Sequence, residues 1–303
     1  AGAALLCHRK PKNTRFYARE GYVTVALCWL ILAVIGALPF VLSREIPVFI
    51  DALFETVSGF TTTGATILSD VEALSHASML WRCLTHWVGG MGVLVFMLIV
   101  LPLAGGHTIF LMRAESPGPS VSKMSPHMRD TATILYAIYF GLTVLQMLLL
   151  LIGGMPFFDA ICVSLGTAGT GGFGNWNDSI AHYNSAYLQN VITVFMILFG
   201  INFSAYFLIL TRKFRQAFRI EEIRVYLGVI FVFAGLIAFN VRPMFGSLRE
   251  SFHHALFQVA SIITTTGYST TDFDLWPGFS RTILVCLMFI GACAGSTGGG
   301  IKV

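Results

Sequence analysis

Thr61-Thr62-Thr63-Gly64-Ala65 decides the fold, because the chain writes the same short unit twice more in the same frame. Asp51-Ala52 lies thirteen and twelve residues ahead of Gly64. Asp159-Ala160 stands at those offsets ahead of Gly172 in Gly169-Thr170-Gly171-Gly172-Phe173, and His254-Ala255 does so ahead of Gly267 in Thr264-Thr265-Thr266-Gly267-Tyr268. Phe54, Cys162 and Phe257 each stand ten residues before their glycine. Three apolar segments running into Thr/Gly loops, 108 and then 95 residues apart, are an internal repeat.

Around these loops the chain is built for a bilayer. Of its 303 residues 55% are hydrophobic and 11% charged, where a soluble domain carries about 25% charge. The apolar runs are long and continuous, so the spans are helices and not strands of a barrel. Residues 22–42 give the roughly twenty apolar positions that a crossing needs. The run 47–57 is too short to cross and ends in the first Thr/Gly loop. A second crossing is expected over 79–103, with Trp81 and Trp87 at its interfacial start.

The pattern then repeats. A crossing at 131–153 is followed by a short segment at 156–166 and a crossing at 186–210. A crossing at 225–241, a short segment at 252–263 and an apolar run from 279 complete the third copy. The expected architecture is therefore all-α, with units at 21–103, 131–210 and 225–303. The segments outside them are 1–20, 104–130 and 211–224. A segment too short to cross must enter and leave by one face. Its non-helical loop is tolerated at membrane depth only when buried in protein or lining a water-filled cavity. Each unit reads as a pore-lining hairpin.

Charge orients the chain. Residues 1–20, 104–130 and 211–224 hold five, three and five Lys or Arg, while the loop side holds five. The basic segments belong to the cytoplasm, which puts the N-terminus inside and the Thr/Gly loops outside. Ten of the fifteen acids share the loop side, giving a negative rim that attracts cations. Six cysteines without CxxC spacing, mostly in apolar context, read as free thiols. No Gly-x-Ser-x-Gly appears and the repeat has no place in an intramembrane hydrolase, a remote alternative, so an enzyme is not expected. No nucleic-acid partner is expected either.

Gly suits loops whose carbonyls turn into a narrow pore, because it adopts the dihedrals that align them. Such carbonyl rings replace the hydration shell of K⁺. Gly291, Gly295, Ser296, Thr297, Gly298, Gly299 and Gly300 interrupt the last apolar run, and each Gly disfavours helix by about 1 kcal/mol relative to Ala. Lys302 beside them competes with pore cations or pairs with an acid elsewhere. The stretch resembles a P-loop, but Ile301 stands where the Lys should be and no strand precedes it. Gly89-Gly90-Met91-Gly92 suits close helix packing. Asp51, Asp159 and His254 mark the start of each half-length helix, where N-capping and the helix dipole account for the two Asp. Glu55 either faces the vestibule or pairs with Arg82.

Several stretches together carry a family resemblance. They are Phe54-Glu55-Thr56-Val57-Ser58-Gly59-Phe60-Thr61-Thr62-Thr63-Gly64-Ala65-Thr66, His86-Trp87-Val88-Gly89-Gly90-Met91-Gly92 and Arg113-Ala114-Glu115-Ser116-Pro117-Gly118-Pro119. Gly171-Gly172-Phe173, Thr265-Thr266-Gly267-Tyr268 and Gly291-Ala292-Cys293-Ala294-Gly295-Ser296-Thr297-Gly298-Gly299-Gly300-Ile301-Lys302 complete the set. The chain resembles, over its whole length, the ion-conducting subunit of the Trk/Ktr/HKT superfamily of K⁺ transporters, and most of all its bacterial Trk type. The resemblance implies four units around one pseudo-fourfold pore, of which two and most of a third are present here. The rest is expected to belong to a longer parent chain.

The resemblance also implies K⁺ as the transported ligand, with no covalent cofactor. K⁺ would be held by Thr62, Thr63 and Gly64, by Thr170, Gly171 and Gly172, and by Thr265, Thr266 and Gly267, mainly through backbone carbonyls. The glycine stretch around 291–300 would be an intramembrane gate. A second copy of the subunit and a cytosolic nucleotide-binding regulatory subunit are the implied partners, in a bacterial inner membrane. A Na⁺- or H⁺-coupled K⁺ symporter is the alternative to a channel.

Overall fold

The computed structural model describes residues 18–92, 128–217 and 219–302. The basic residues 8–17, the end of the expected crossing at 79–103, and the Arg113 to Pro119 motif lie outside them. Among the described residues the chain is helical, with one isolated bridge between Ile290 and Ile301.

In the first unit α1 (Ala18–Leu42) is followed by α2 (Phe49–Phe60) and α3 (His76–Gly90). In the second, α4 (Met128–Ile152) leads to α5 (Phe157–Ala168), α6 (Ala186–Phe199) and α7 (Phe203–Leu210). A linker with the short α8 (Phe214–Ala217) leads to α9 (Glu221–Val241), α10 (Leu248–Ile263) and α11 (Gly278–Phe289). Among the described residues, three stretches are single helices long and apolar enough to span a bilayer: Val25–Leu42, Thr133–Ile152 and Glu221–Met244. They begin the three units.

α2, α5 and α10 have 12, 12 and 16 residues. At about 1.5 Å per residue the longest reaches about 24 Å, short of a hydrocarbon core of about 30 Å. The turn before α5 shows how an incoming span ends. Gly154 takes a φ of 83°, and Met155 N–H donates to the Leu150 carbonyl at 3.1 Å. That is a left-handed helix cap closed by the Gly its geometry favours, and Pro156 then starts α5.

Burial separates the two helix classes. The spanning windows of α1 and α4 are each only 22% buried, and that of α9 is 33%. Eight of the 12 residues of α5 are buried, among them Asp159, Cys162 and Thr167. The spans therefore face outward and the half-length helices inward. α2 packs on α1 and α3, α5 on α3, α4 and α6, and α10 on α6, α9 and α11. Ile192, Met196, Phe257, Ala260 and Tyr268 join the second and third units in one apolar cluster.

Three expectations are corrected. The crossing expected at 186–210 is broken at residues 200–202, where α6 and α7 meet at 93°. Gly200 ends α6, and Asn202 starts α7 by accepting a 2.8 Å bond from the N–H of Ser204. Nor do the aspartates N-cap. Val48 and Pro156 hold those positions without side-chain bonds, and Asp51 and Asp159 sit in the first turn. There they still face the positive end of the helix dipole. α10 starts earlier than expected because Ser247 Oγ accepts the N–H of Glu250 at 3.2 Å, so His254 is interior.

Candidate functional site

The three Thr/Gly loops are backbone copies of one another. In each, the residue three before the glycine donates its N–H to the carbonyl four residues earlier: Thr61 to Val57, Gly169 to Leu165 and Thr264 to Ala260. The next N–H reaches back three residues, from Thr62 to Gly59, Thr170 to Thr167 and Thr265 to Ile262. The third reaches back five, from Thr63 to Ser58, Gly171 to Gly166 and Thr266 to Ser261, at 2.9 to 3.1 Å. This terminates each half-helix with a left-handed residue, a position that usually belongs to Gly.

Here that residue is Thr. Thr62, Thr170 and Thr265 have φ of 54°, 52° and 57°. A β-branched residue in this region is strained by about 1–2 kcal/mol, and repeated strain of this kind concentrates at functional sites. The glycine two residues later is left-handed again, with φ of 77°, 82° and 85° at Gly64, Gly172 and Gly267. Thr63, Gly171 and Thr266 between them keep negative φ. Alternating the sign of φ along so short a segment turns successive carbonyls toward one side.

The loops touch in a row. A Cβ added to Gly64 would lie 2.0 Å from the Gly171 carbonyl oxygen, and one on Gly172 would lie 1.9 Å from that of Thr266. Around a Cβ on Gly267 there is open space. Gly64 and Gly172 thus each lie against the preceding-position carbonyl of the next loop. The second loop, flanked on both sides, is the most enclosed, with Thr170 fully buried.

Side chains explain why the second loop differs. In loops one and three, Thr61 and Thr63, and likewise Thr264 and Thr266, share a hydroxyl bond of 2.8 Å. In loop two both positions are Gly because His86 of α3 occupies their space. A Cβ on Gly169 would meet the His86 carbonyl oxygen at 2.2 Å, and one on Gly171 its ring at 2.4 Å. His86 in turn stacks on Phe173 at 3.9 Å and accepts the Phe173 N–H at 3.3 Å through Nδ1. α3 comes this close because it also presents Gly90, whose added Cβ would lie 2.6 Å from the Gly169 Cα. Gly89 and Gly90 are thus packing residues.

A hydroxyl clamps each loop from behind. Ser58 Oγ donates to the Ala65 carbonyl at 2.5 Å, and Ser261 Oγ to the Tyr268 carbonyl at 2.6 Å. The equivalent position in loop two is Gly166, and the equivalent carbonyl, Phe173, receives the Tyr268 hydroxyl at 3.1 Å instead. The register Ser58, Gly166, Ser261 was a readable signal of this substitution, but the donor arriving from loop three was not. Tyr268→Phe leaves a buried carbonyl without its hydroxyl donor. Thermal unfolding of the full-length protein should show a loss of about 1 kcal/mol, and an unchanged Tm excludes the clamp.

Glu55 does not face a vestibule. Its carboxylate meets Arg82 Nε at 2.5 Å, both side chains are buried, and Thr66 and the Ile67 N–H also donate to it. The guanidinium lies 3.6 Å over the Phe173 ring and donates to the Gly174 carbonyl at 3.2 Å. This pair braces loops one and two together. Asp159 similarly accepts from Asn175, Trp176 and Tyr183. No group of three or more metal-ligating side chains occurs among the described residues. The five described cysteines are free thiols.

The glycine stretch lies directly against these loops. α11 ends at Phe289, and the ends of the stretch meet where Gly291 N–H donates to the Ile301 carbonyl at 2.6 Å. Gly295 and Gly300 take φ of 69° and 78°. On one side Thr170 Oγ1 donates to the Thr297 carbonyl at 3.0 Å, and Gly299 N–H donates to Thr265 Oγ1 at 2.8 Å. The strained threonines of loops two and three therefore turn their hydroxyls onto the stretch. On the other side it fills the break between α6 and α7. Cys293 N–H bonds the Gly200 carbonyl, Thr297 bonds that of Phe199, and Gly295 accepts the Phe203 N–H. Lys302 Nζ donates to the Gly298 carbonyl, and among the described residues no carboxylate stands within ion-pair distance of it.

Outward-facing spans, inward half-length helices and a row of aligned loops define an all-α membrane protein built from repeated half-length-helix units. Residues 1–234 and 231–303 match the TrkH family, described as a cation transport protein. The chain belongs to that family. It is 38% identical over 308 residues to the Trk system potassium uptake protein TrkH of Salmonella typhimurium, covering 100% of this chain and 64% of that one. It is 35% identical to TrkG of Escherichia coli, covering 97% and 61%. It also resembles the crystal structure of the potassium transporter TrkH from Vibrio parahaemolyticus, with a TM-score of 0.84 and 31% identity over 99% of this chain and 62% of that one. The chain thus spans about 64% of the length of the first of these relatives.

Proposed function

We propose that the protein conducts K⁺ into the cell, as part of a bacterial inner-membrane uptake system, through a filter of backbone carbonyls. The observation that carries this reading is the identical, strained backbone of three adjoining loops. Carbonyls around Thr62, Thr63 and Gly64, Thr170, Gly171 and Gly172, and Thr265, Thr266 and Gly267 replace the hydration shell of the ion. The threonine hydroxyls at positions 61, 63, 264 and 266 are bonded to one another, which leaves coordination to the backbone. The C-terminal ends of α2, α5 and α10 add their negative dipole ends. The names of the relatives, potassium uptake proteins and a potassium transporter, support the same ion.

The open face of Gly267 suits a fourth loop, whose carbonyl would stand there as those of Gly171 and Thr266 stand at Gly64 and Gly172. The glycine stretch at 291–300, with Lys302, is the gate: it sits against loops two and three and obstructs the path between the loops and the cytoplasm. The N-terminus is cytoplasmic and the loops open outside. The units are 21–103, 131–210 and 225–303. A second copy of the subunit and a cytosolic nucleotide-binding regulatory subunit are the partners, the latter on the basic segments 104–130 and 211–224. The test is ion flux through the full-length protein in liposomes. Flux down a K⁺ gradient that exceeds flux down an equal Na⁺ gradient and needs no second ion is expected. Equal fluxes refute the filter, and a strict requirement for Na⁺ or a proton gradient refutes the channel.

A further inference from the structure

Glu222 stands in the first turn of α9, beside a linker whose other charges are mostly basic: Arg212, Lys213, Arg215, Arg219 and Arg224. It forms no ion pair with them among the described residues. Oε1 accepts the N–H of Ala294, inside the glycine stretch. Besides the adjoining Lys302, whose ammonium holds the Gly298 carbonyl, the stretch is bonded by neutral groups: threonine hydroxyls of loops two and three, and backbone groups at the break between α6 and α7. An ionised acceptor on a backbone N–H makes a bond about twice as strong as a neutral one.

We propose that Glu222 is the positioning residue that latches the glycine stretch in its obstructing arrangement. The inference rests on the gate reading above. Ala294 lies between Cys293, which is bonded to Gly200, and Gly295, which is bonded to Phe203. A carboxylate at this point therefore holds the segment that plugs the α6–α7 break. When the segment leaves, the Gly200 carbonyl and the Phe203 N–H lose their partners together. The break and the stretch form one two-state element, and Glu222 biases it from the cytoplasmic end. Because Glu222 belongs to α9, any partner that pulls on the preceding linker moves the carboxylate with it.

The competing account is that Glu222 merely complements the dipole of α9. Glu221 shares that turn and that charge but is exposed, so Glu221→Ala is the control. Cys293 is fully buried and serves as a reporter of the stretch. The experiment uses the full-length protein in liposomes, with every cysteine except Cys83, Cys162 and Cys293 replaced by serine. K⁺ flux and the rate of Cys293 labelling by N-ethylmaleimide are measured.

Glu222→Ala should raise both roughly tenfold, the scale of losing one bond to a charged group, while the K⁺-to-Na⁺ flux ratio stays unchanged. Glu221→Ala should raise neither. Glu222→Gln, which keeps an acceptor oxygen without the charge, should fall between and covers the case where Ala fails to fold. If Glu222→Ala and Glu222→Gln leave flux and labelling unchanged while removal of residues 296–299 raises flux, the latch is refuted and the gate stands. If removing 296–299 leaves flux low, the gate itself fails and the latch falls with it. Faster labelling without higher flux also overturns the proposal.

Discussion

Removing residues 296–299 from the full-length protein raises K⁺ flux by about tenfold or more and weakens its dependence on any cytosolic regulator. Coupling energies of about 1–3 kcal/mol, typical of two-state elements, set that scale. The removed residues carry the contacts with Thr170, Thr265 and Phe199. They also include Gly298, whose added Cβ would lie 3.3 Å from the Thr264 carbonyl oxygen. The ends of the stretch are held by the bridge between Ile290 and Ile301, so a shorter turn can still connect them. The K⁺-to-Na⁺ ratio should not change, because the αL–glycine backbone of each loop is closed by bonds within its own half-helix. A folded variant with flux as low and as regulated as before makes the stretch a packing element.

Gly172→Ser has the other large effect, and it falls on selectivity. A serine Cβ there would stand 1.9 Å from the Thr266 carbonyl oxygen, at a φ of 82° that disfavours any L side chain by about 1–2 kcal/mol. The neighbouring loop must move, and a carbonyl displaced from the row cannot replace ion hydration. Since about 1.4 kcal/mol is tenfold in an equilibrium, K⁺ preference over Na⁺ should fall about tenfold or more in relative flux. Gly64→Ser should behave alike through the Gly171 carbonyl, 2.0 Å from the added Cβ. Gly267→Ser separates strain from contact, because only its φ of 85° opposes a side chain within the described residues. If it is as damaging in the full-length protein, a fourth loop closes the row. Wild-type selectivity in Gly172→Ser refutes the filter.

Much of this was legible in the chain because the repeat is written in local chemistry. Apolar length fixed which helices cross and which stop halfway: the expected segments at 47–57 and 156–166 became Phe49–Phe60 and Phe157–Ala168. Spacing alone fixed the loop register, since Schellman-type closure depends only on neighbours within five residues. Glycine density alone showed that α11 must stop near 290, because backbone entropy and missing side chains disfavour helix wherever the chain runs. Even the break in α6–α7 had its signature in Gly200 and Asn202, hidden in an otherwise continuous apolar run.

What only the tertiary structure decided are the pairings across units, which have no sequence period. Glu55 finds Arg82 because α2 and α3 pack together, and burial of both charges requires that they meet. Gly169 and Gly171 replace threonines because His86, more than eighty residues away in the chain, fills their space. Tyr268 lends loop two the hydroxyl that Gly166 lacks. The glycine stretch lies under loops two and three because the broken ends of α6 and α7 leave backbone groups that only another backbone segment satisfies there. Local sequence determines the shape of each piece. Which buried polar group answers which is set by packing, where every donor brought out of water must meet an acceptor.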